Sequence, residues 1–101
     1  MRSIYATTKA GLNHMTKAMA LEWAEKKINV NAIAPSSTIT ELNRKYYEDN
    51  KGDLEERIRT IPMARLGVPE DYVGAAVFLA SEASDYITGQ IIFVDGGSNI
   101  I

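Results

Sequence analysis

The chain is 101 residues long, 46% hydrophobic and 24% charged, with a net charge of −2. That length allows one domain at most, and that composition excludes a disordered chain. Acidic and basic residues are interleaved, which marks no surface for nucleic acid, and the absence of cysteine removes disulfides and thiolate metal sites. No apolar run approaches the ~20 residues that cross a bilayer, and the start has no signal-peptide pattern. The expectation is a soluble cytoplasmic domain with no nucleic-acid partner and no membrane.

Residues 4–26 predict a helix, since no proline interrupts them and helix formers dominate. Leu12, Met15, Met19 and Trp23 follow helical spacing and predict one buried stripe. Ala6, Ala10, Gly11 and Ala18 predict a second element passing close to the backbone. Tyr5 and Lys9, four residues apart, share one helical face, so a phenol and an ammonium can meet there.

Residues 28–34, I-N-V-N-A-I-A, predict a buried parallel-type strand stopped by Pro35. The stretch P-S-S-T-I-T at 35–40 predicts a loop at the strand's carboxyl end. Residues 41–60 carry 11 of the chain's 24 charged residues and predict two short helices broken near 50–53, a solvated excursion suited to a lid. Residues 61–69 predict a connector. Pro69, Glu70 and Asp71 then open a helix to about Ser81 that buries Val73, Val77, Phe78 and Leu79. After a loop at 84–89, residues 90–94 predict a second strand, closed by Asp95, Gly96 and Gly97. This order is the tail of an alternating α/β protein with two parallel strands. Two strands are too few for a doubly wound sheet, so more of the sheet is expected outside this chain.

Four of these stretches, in this order, resemble the C-terminal part of the short-chain dehydrogenases/reductases. Y-A-T-T-K-A-G-L is similar to that family's Y-x-x-x-K helix, and I-N-V-N-A-I-A-P to the strand after it. P-M-A-R-L-G-V-P-E-D resembles the connector before the next helix, and Y-I-T-G-Q-I-I-F-V-D-G-G the closing strand. The likeness covers residues 2–98, and A-L-E-W-A with Y-I-T-G-Q-I-I looks most like members acting on sugar acids, polyols or tropinone. It implies an α/β fold, the C-terminal portion of a doubly wound, Rossmann-like parallel sheet, with residues 1–101 as a partial domain. It implies NAD or NADP as cofactor, interconversion of an alcohol and a ketone on a small substrate, and a homo-oligomer.

The residues allow that chemistry. A free phenol with pKa ≈ 10 is a poor base near neutrality. An ammonium within roughly 4–6 Å favours phenolate and lowers that value by about 1–3 units. The resemblance implies that Tyr5 exchanges the proton of the substrate oxygen while Lys9 holds the nicotinamide ribose hydroxyls. Residues 35–40 match the family's P-G-x-I-x-T loop, which makes Pro35, Ser36, Thr38 and Thr40 cofactor-binding candidates beside Tyr5 and Lys9. In that match Thr40 meets the cofactor and the Thr38 backbone holds the carboxamide. Ser36 stands where the family has glycine and Thr38 where it has an aliphatic residue, so a strained Ser36 is expected to disturb the cofactor's fit. The plain alternatives are an exposed tyrosine with a solvated lysine, and a polar strand-to-helix turn.

His14 is expected at the surface or a subunit contact, and one histidine makes no metal site. Asn31 is expected to satisfy backbone groups. Tyr46 and Tyr47 are either packing or substrate contacts. The family's glycine-rich turn has no match here, and its catalytic serine and helper asparagine would fall before Met1; Ser3 is too close to Tyr5 to replace the serine. The expectation is therefore a fragment without turnover of its own. The alternative is a non-catalytic module that keeps the family's assembly surfaces and self-associates.

Overall fold

The computed structural model describes residues 2–100. In chain order these form α1 (Arg2–Trp23), β1 (Ala32–Pro35), α2 (Glu41–Asp49), α3 (Lys51–Arg59), α4 (Val73–Ala80) and β2 (Ile91–Val94). Short 3-10 turns follow α1 (Ala24–Lys26), precede α4 (Pro69–Tyr72) and flank β2 (Glu82–Ser84 and Ser98–Ile100). β1 and β2 pair in a two-stranded parallel sheet. The chain divides into two units, one built from the residues up to Ala32 with Val77–Ile92, the other from Ile33–Ala76 with the residues from Phe93 on.

In the first unit, α1 absorbs its threonines by turning their hydroxyls onto its own carbonyls, Thr8 Oγ1 to Ile4 O at 2.8 Å and Thr16 Oγ1 to Leu12 O at 3.0 Å. The helical run stops at Lys27, which takes a left-handed conformation (φ 59°) and returns its N–H to Ala24 O at 3.0 Å. The buried face of α1 runs through Thr16 and Ala20. The expected apolar stripe is corrected accordingly: Leu12 and Met15 are 47% and 50% exposed, and only Met19 and Trp23 are half-buried. The expected close approach is not seen at these residues: Ala6, Ala10, Gly11 and Ala18 are exposed, and α1 instead meets Gly89 (φ 74°) at Ala20, where an added Cβ would make an ordinary 3.4 Å contact with the alanine methyl.

The predicted strand at 28–34 is shorter than expected: ladder pairing begins at Ala32 and includes Pro35. Upstream, side chains take over the ladder's work. Asn31 Nδ2 donates to Ile87 O and Asn31 Oδ1 accepts from Gln90 N, each at 3.0 Å. Asn29 Nδ2 reaches Asp85 O at 3.0 Å, and Val30 N donates to Thr88 Oγ1 at 3.0 Å. This strap of amide side chains ties residues 29–31 to the segment before β2, alongside a backbone bond from Gly89 N to Val30 O.

In the second unit the break expected near 50–53 lies at Asn50, whose carbonyl receives Asp53 N and Leu54 N at 3.1 and 3.2 Å while its Nδ2 donates back to Tyr46 O at 2.8 Å. Ile61 and Leu66 are buried here. Gly96 (φ 62°) lies over Ile61, with room for no Cβ: one placed there would be 2.7 Å from Ile61 Cγ2. The helix expected from Pro69 starts as a 3-10 turn, and the α-helical part spans Val73–Ala80. Its expected burial is corrected, since Val73, Val77 and Phe78 are exposed, Val77 by 61%, and only Leu79 is half-buried. A helix this apolar with so little of it covered presents faces that the chain itself does not bury.

Candidate functional site

In the first unit, Tyr5 is the fourth residue of α1, within its first turn. Lys9 sits one turn on, with Nζ 5.6 Å from the centre of the Tyr5 ring, so the two side chains share a face as their spacing predicts. The Tyr5 side chain is 66% exposed. That pair therefore offers an accessible phenol with a cation beside its ring. His14 is exposed on the same helix. Among the described residues, no three His, Cys, Asp or Glu side chains gather where they would hold a metal ion.

In the second unit, residues 35–40 leave β1 and are fixed along their length. Ile39 N donates to Gly67 O at 2.9 Å and Gly67 N to Ser37 O at 3.0 Å, a parallel bridge centred on Thr38 and Gly67. Asn43 spans the far end: its Nδ2 donates to Thr38 O at 2.9 Å and its Oδ1 accepts Thr40 N at 2.7 Å, seating the first turn of α2. Thr38 Oγ1 donates to Ser36 O at 2.9 Å and is hydrogen-bonded to the Tyr72 hydroxyl. Among the described non-glycine residues only Lys27 and Ala64 have positive φ, so Ser36 carries none of the strain that its replacement of glycine led us to expect. Pro35 is exposed, and Ser36, Thr38 and Thr40 are half-buried.

Asn43, Gly67 and Tyr72 thus belong to this site although the motif did not name them. Asn43 has a sequence signal, an amide three residues after a threonine at a helix start. Tyr72 has none. A cavity of about 400 Å³ lies beside the loop, lined in part by Ser36, Gly67, Tyr72, Phe93 and Gly96. Its edge is held by Arg65, whose Nη1 and Nη2 meet the two Asp71 carboxylate oxygens at 2.8 and 2.9 Å, while Asp71 Oδ2 accepts Val68 N at 2.8 Å. The Arg65 guanidinium first, then the Val68 amide, lower the Asp71 pKa to about 2.

The α2–α3 pair carries its own cavity of about 290 Å³, with Ile39, Tyr47, Leu54 and Ile58 on its apolar wall and Arg44 and Lys51 among its polar lining. Tyr47 is half-buried there. Tyr46, by contrast, donates its hydroxyl to Asp53, and that hydrogen bond, reinforced by the carboxylate's charge, raises the phenol's pKa above its ordinary 10.0. No helix among the described residues is long and apolar enough to cross a membrane.

Residues 1–99 match the family described as enoyl-(acyl carrier protein) reductase. The chain is 46% identical over 93 residues to the 2-dehydro-3-deoxy-D-gluconate 5-dehydrogenase of Escherichia coli, covering 92% of this chain and 36% of that protein. It is 44% identical over 96 residues to 3beta-hydroxysteroid dehydrogenase 1 of Eggerthella lenta, covering 95% of this chain and 36% of that one. Among solved structures, one provisionally described as a 2-deoxy-D-gluconate 3-dehydrogenase from Agrobacterium tumefaciens, with bound NADP, superposes with a TM-score of 0.86 at 42% identity. The match covers 96% of this chain and 39% of that one. The chain therefore spans little more than a third of the length of the relatives it matches.

Proposed function

This chain belongs to the short-chain dehydrogenase/reductase family, and from that premise we propose that it is the C-terminal part of an oxidoreductase dependent on NAD or NADP. The reaction is the interconversion of an alcohol and a ketone on a small, polyhydroxylated substrate, a class suggested by the sugar-acid names of two of its relatives. One observation carries the reading: the Lys9 ammonium stands 5.6 Å from the Tyr5 ring on an exposed helical face. Tyr5 takes the hydroxyl proton when the alcohol is oxidised and returns it to the carbonyl oxygen when the ketone is reduced. Lys9 places its ammonium beside that phenol and holds ribose hydroxyls. When bound, the nicotinamide accepts or supplies the hydride. Pro35, Ser36, Thr38 and Thr40 hold it, and an unstrained loop fixed through Gly67 and Asn43 suits that task. The helices α2 and α3, at 41–60, form a lid over substrate and exclude water.

In this reading the 101 residues have no turnover alone. A hybrid in which they replace the matching part of the E. coli relative is expected to fold and oxidise that relative's substrate. A soluble, folded hybrid without activity would defeat the proposal.

A second reading is favoured by the exposed apolar side chains of α1, Ile4, Leu12, Met15 and Leu21. They support a non-catalytic module that keeps only the family's assembly surfaces and forms a homo-oligomer.

A further inference from the structure

We propose that Tyr72 is a positioning residue for the cofactor loop, acting through Thr38; this rests on the assignment of residues 35–40 to nicotinamide binding. Thr38 occupies the middle of that loop, and its side chain has two partners, Ser36 O and the Tyr72 hydroxyl. Its backbone is committed as well, since Thr38 O accepts Asn43 Nδ2. Tyr72 closes the 3-10 turn that leads into α4. It reaches the loop across Gly67, where a Cβ would collide with the Tyr72 hydroxyl. The three residues form one latch: Gly67 supplies the backbone bridge, its missing side chain leaves a slot, and Tyr72 fills the slot to reach Thr38. The latch also explains the polar residue at 38. A threonine half-buried beside a phenol is paired, whereas an aliphatic residue there would leave the Tyr72 hydroxyl without this partner. Next to it, the Arg65–Asp71 ion pair and the Asp71–Val68 bond hold the turn that carries Tyr72. Tyr72 thereby acts on the loop through the Thr38 side chain.

The test uses the whole chain, reduced nicotinamide mononucleotide as the probe, and Tyr72→Phe, Thr38→Val and the double variant Thr38→Val/Tyr72→Phe. Binding is followed by the amide shifts of Ile39 and Thr40, and hydrogen exchange is read at Ile39 and Gly67 with Gly89 as an internal control. The Gly89 amide belongs to the other unit, where it donates to Val30 O at 2.7 Å.

Tyr72→Phe takes one of two partners from the Thr38 hydroxyl, and Thr38→Val takes a partner from both the Tyr72 hydroxyl and Ser36 O. Each is expected to weaken mononucleotide binding about fivefold, with faster exchange at Ile39 and Gly67 but not at Gly89. The double variant no longer carries the Tyr72 hydroxyl that Thr38→Val alone leaves without its partner, so its loss is expected to be smaller than the sum of the two single losses, the Ser36 O bond staying absent. Unchanged binding in Tyr72→Phe overturns the proposal, as does exchange that rises equally at Gly89, which marks a merely structural loss. Losses that simply add in the double variant overturn it too. A wild-type chain that binds no mononucleotide defeats the cofactor assignment itself and the proposal with it.

Discussion

Arg65 grips Asp71 with both terminal guanidinium nitrogens, at 2.8 and 2.9 Å, while the same carboxylate caps the Val68 amide. The folded chain therefore holds the Asp71 pKa at about 2, below its ordinary 3.8. A depressed carboxylate contributes stability that is complete above the ordinary value and is lost as pH falls through the folded one. The second unit should accordingly lose stability between about pH 4 and 2. Titration of the Asp71 carboxyl carbon should give a midpoint near 2, and Arg65→Met should move it up toward 3.8. An unmoved midpoint would remove Arg65 as the cause.

Tyr46 titrates in the opposite sense. Its phenol is held above 10.0 by the hydrogen bond to Asp53 and by that carboxylate's charge. A raised pKa contributes stability below the ordinary value and loses it as pH rises through the folded one. Asp53→Asn removes the charge and is expected to bring the Tyr46 midpoint down toward 10.0, read at its ring carbon Cζ. The α2–α3 pair should then be less easily loosened by alkali.

Asn31 stands in for a strand. Its amide pairs with Ile87 O and Gln90 N, two backbone groups across the segment before β2. Asn31→Ala removes both bonds, and a urea unfolding curve should show a loss of about 1 kcal/mol, the net worth of a hydrogen bond that water can partly replace. Asn31→Asp keeps the acceptor for Gln90 N but loses the donor to Ile87 O, so an intermediate loss is expected. A loss below the error of the curve would mean that the strap contributes nothing.

The apolar side chains left open on α1 predict self-association. Light scattering should give a mass above that of one chain at high concentration, and Met15→Glu with Leu21→Glu should return it to the monomer. Those residues are exposed in the single chain, so charges there disturb an interface and not a core. A wild-type chain that stays monomeric would contradict the assembly reading.

The alternation of helix and strand, the break at Asn50, the proline-and-acid start before α4 and the meeting of Tyr5 with Lys9 were all legible in the sequence, because each follows from spacing or from one residue's backbone preference. Burial was not. Leu12, Met15, Val77 and Phe78 have core-like spacing, but periodicity says which residues share a face and not whether anything covers that face. The start of β1 was misplaced for a related reason: Ile28 and Val30 look like strand residues, but Asn29 and Asn31 bond to backbone groups 56 to 59 residues away. The threonine at 38 was visible only as a departure from the motif. Its partner Tyr72, 34 positions later, has no local mark that would link the two. Ser36 carried an expectation of strain that the backbone does not bear out, since a serine with negative φ needs nothing that glycine alone supplies.

The most direct test of the central claim is the turnover number of the hybrid enzyme with Tyr5 replaced by phenylalanine. Removing only the phenolic oxygen leaves the ring and its contact with Lys9 in place. The account predicts that kcat falls by at least about 100-fold while the affinity for the nicotinamide cofactor stays within about twofold, as expected for loss of a proton-transfer group. A Tyr5→Phe hybrid that turned over at the wild-type rate would contradict it, whatever the family to which the chain belongs.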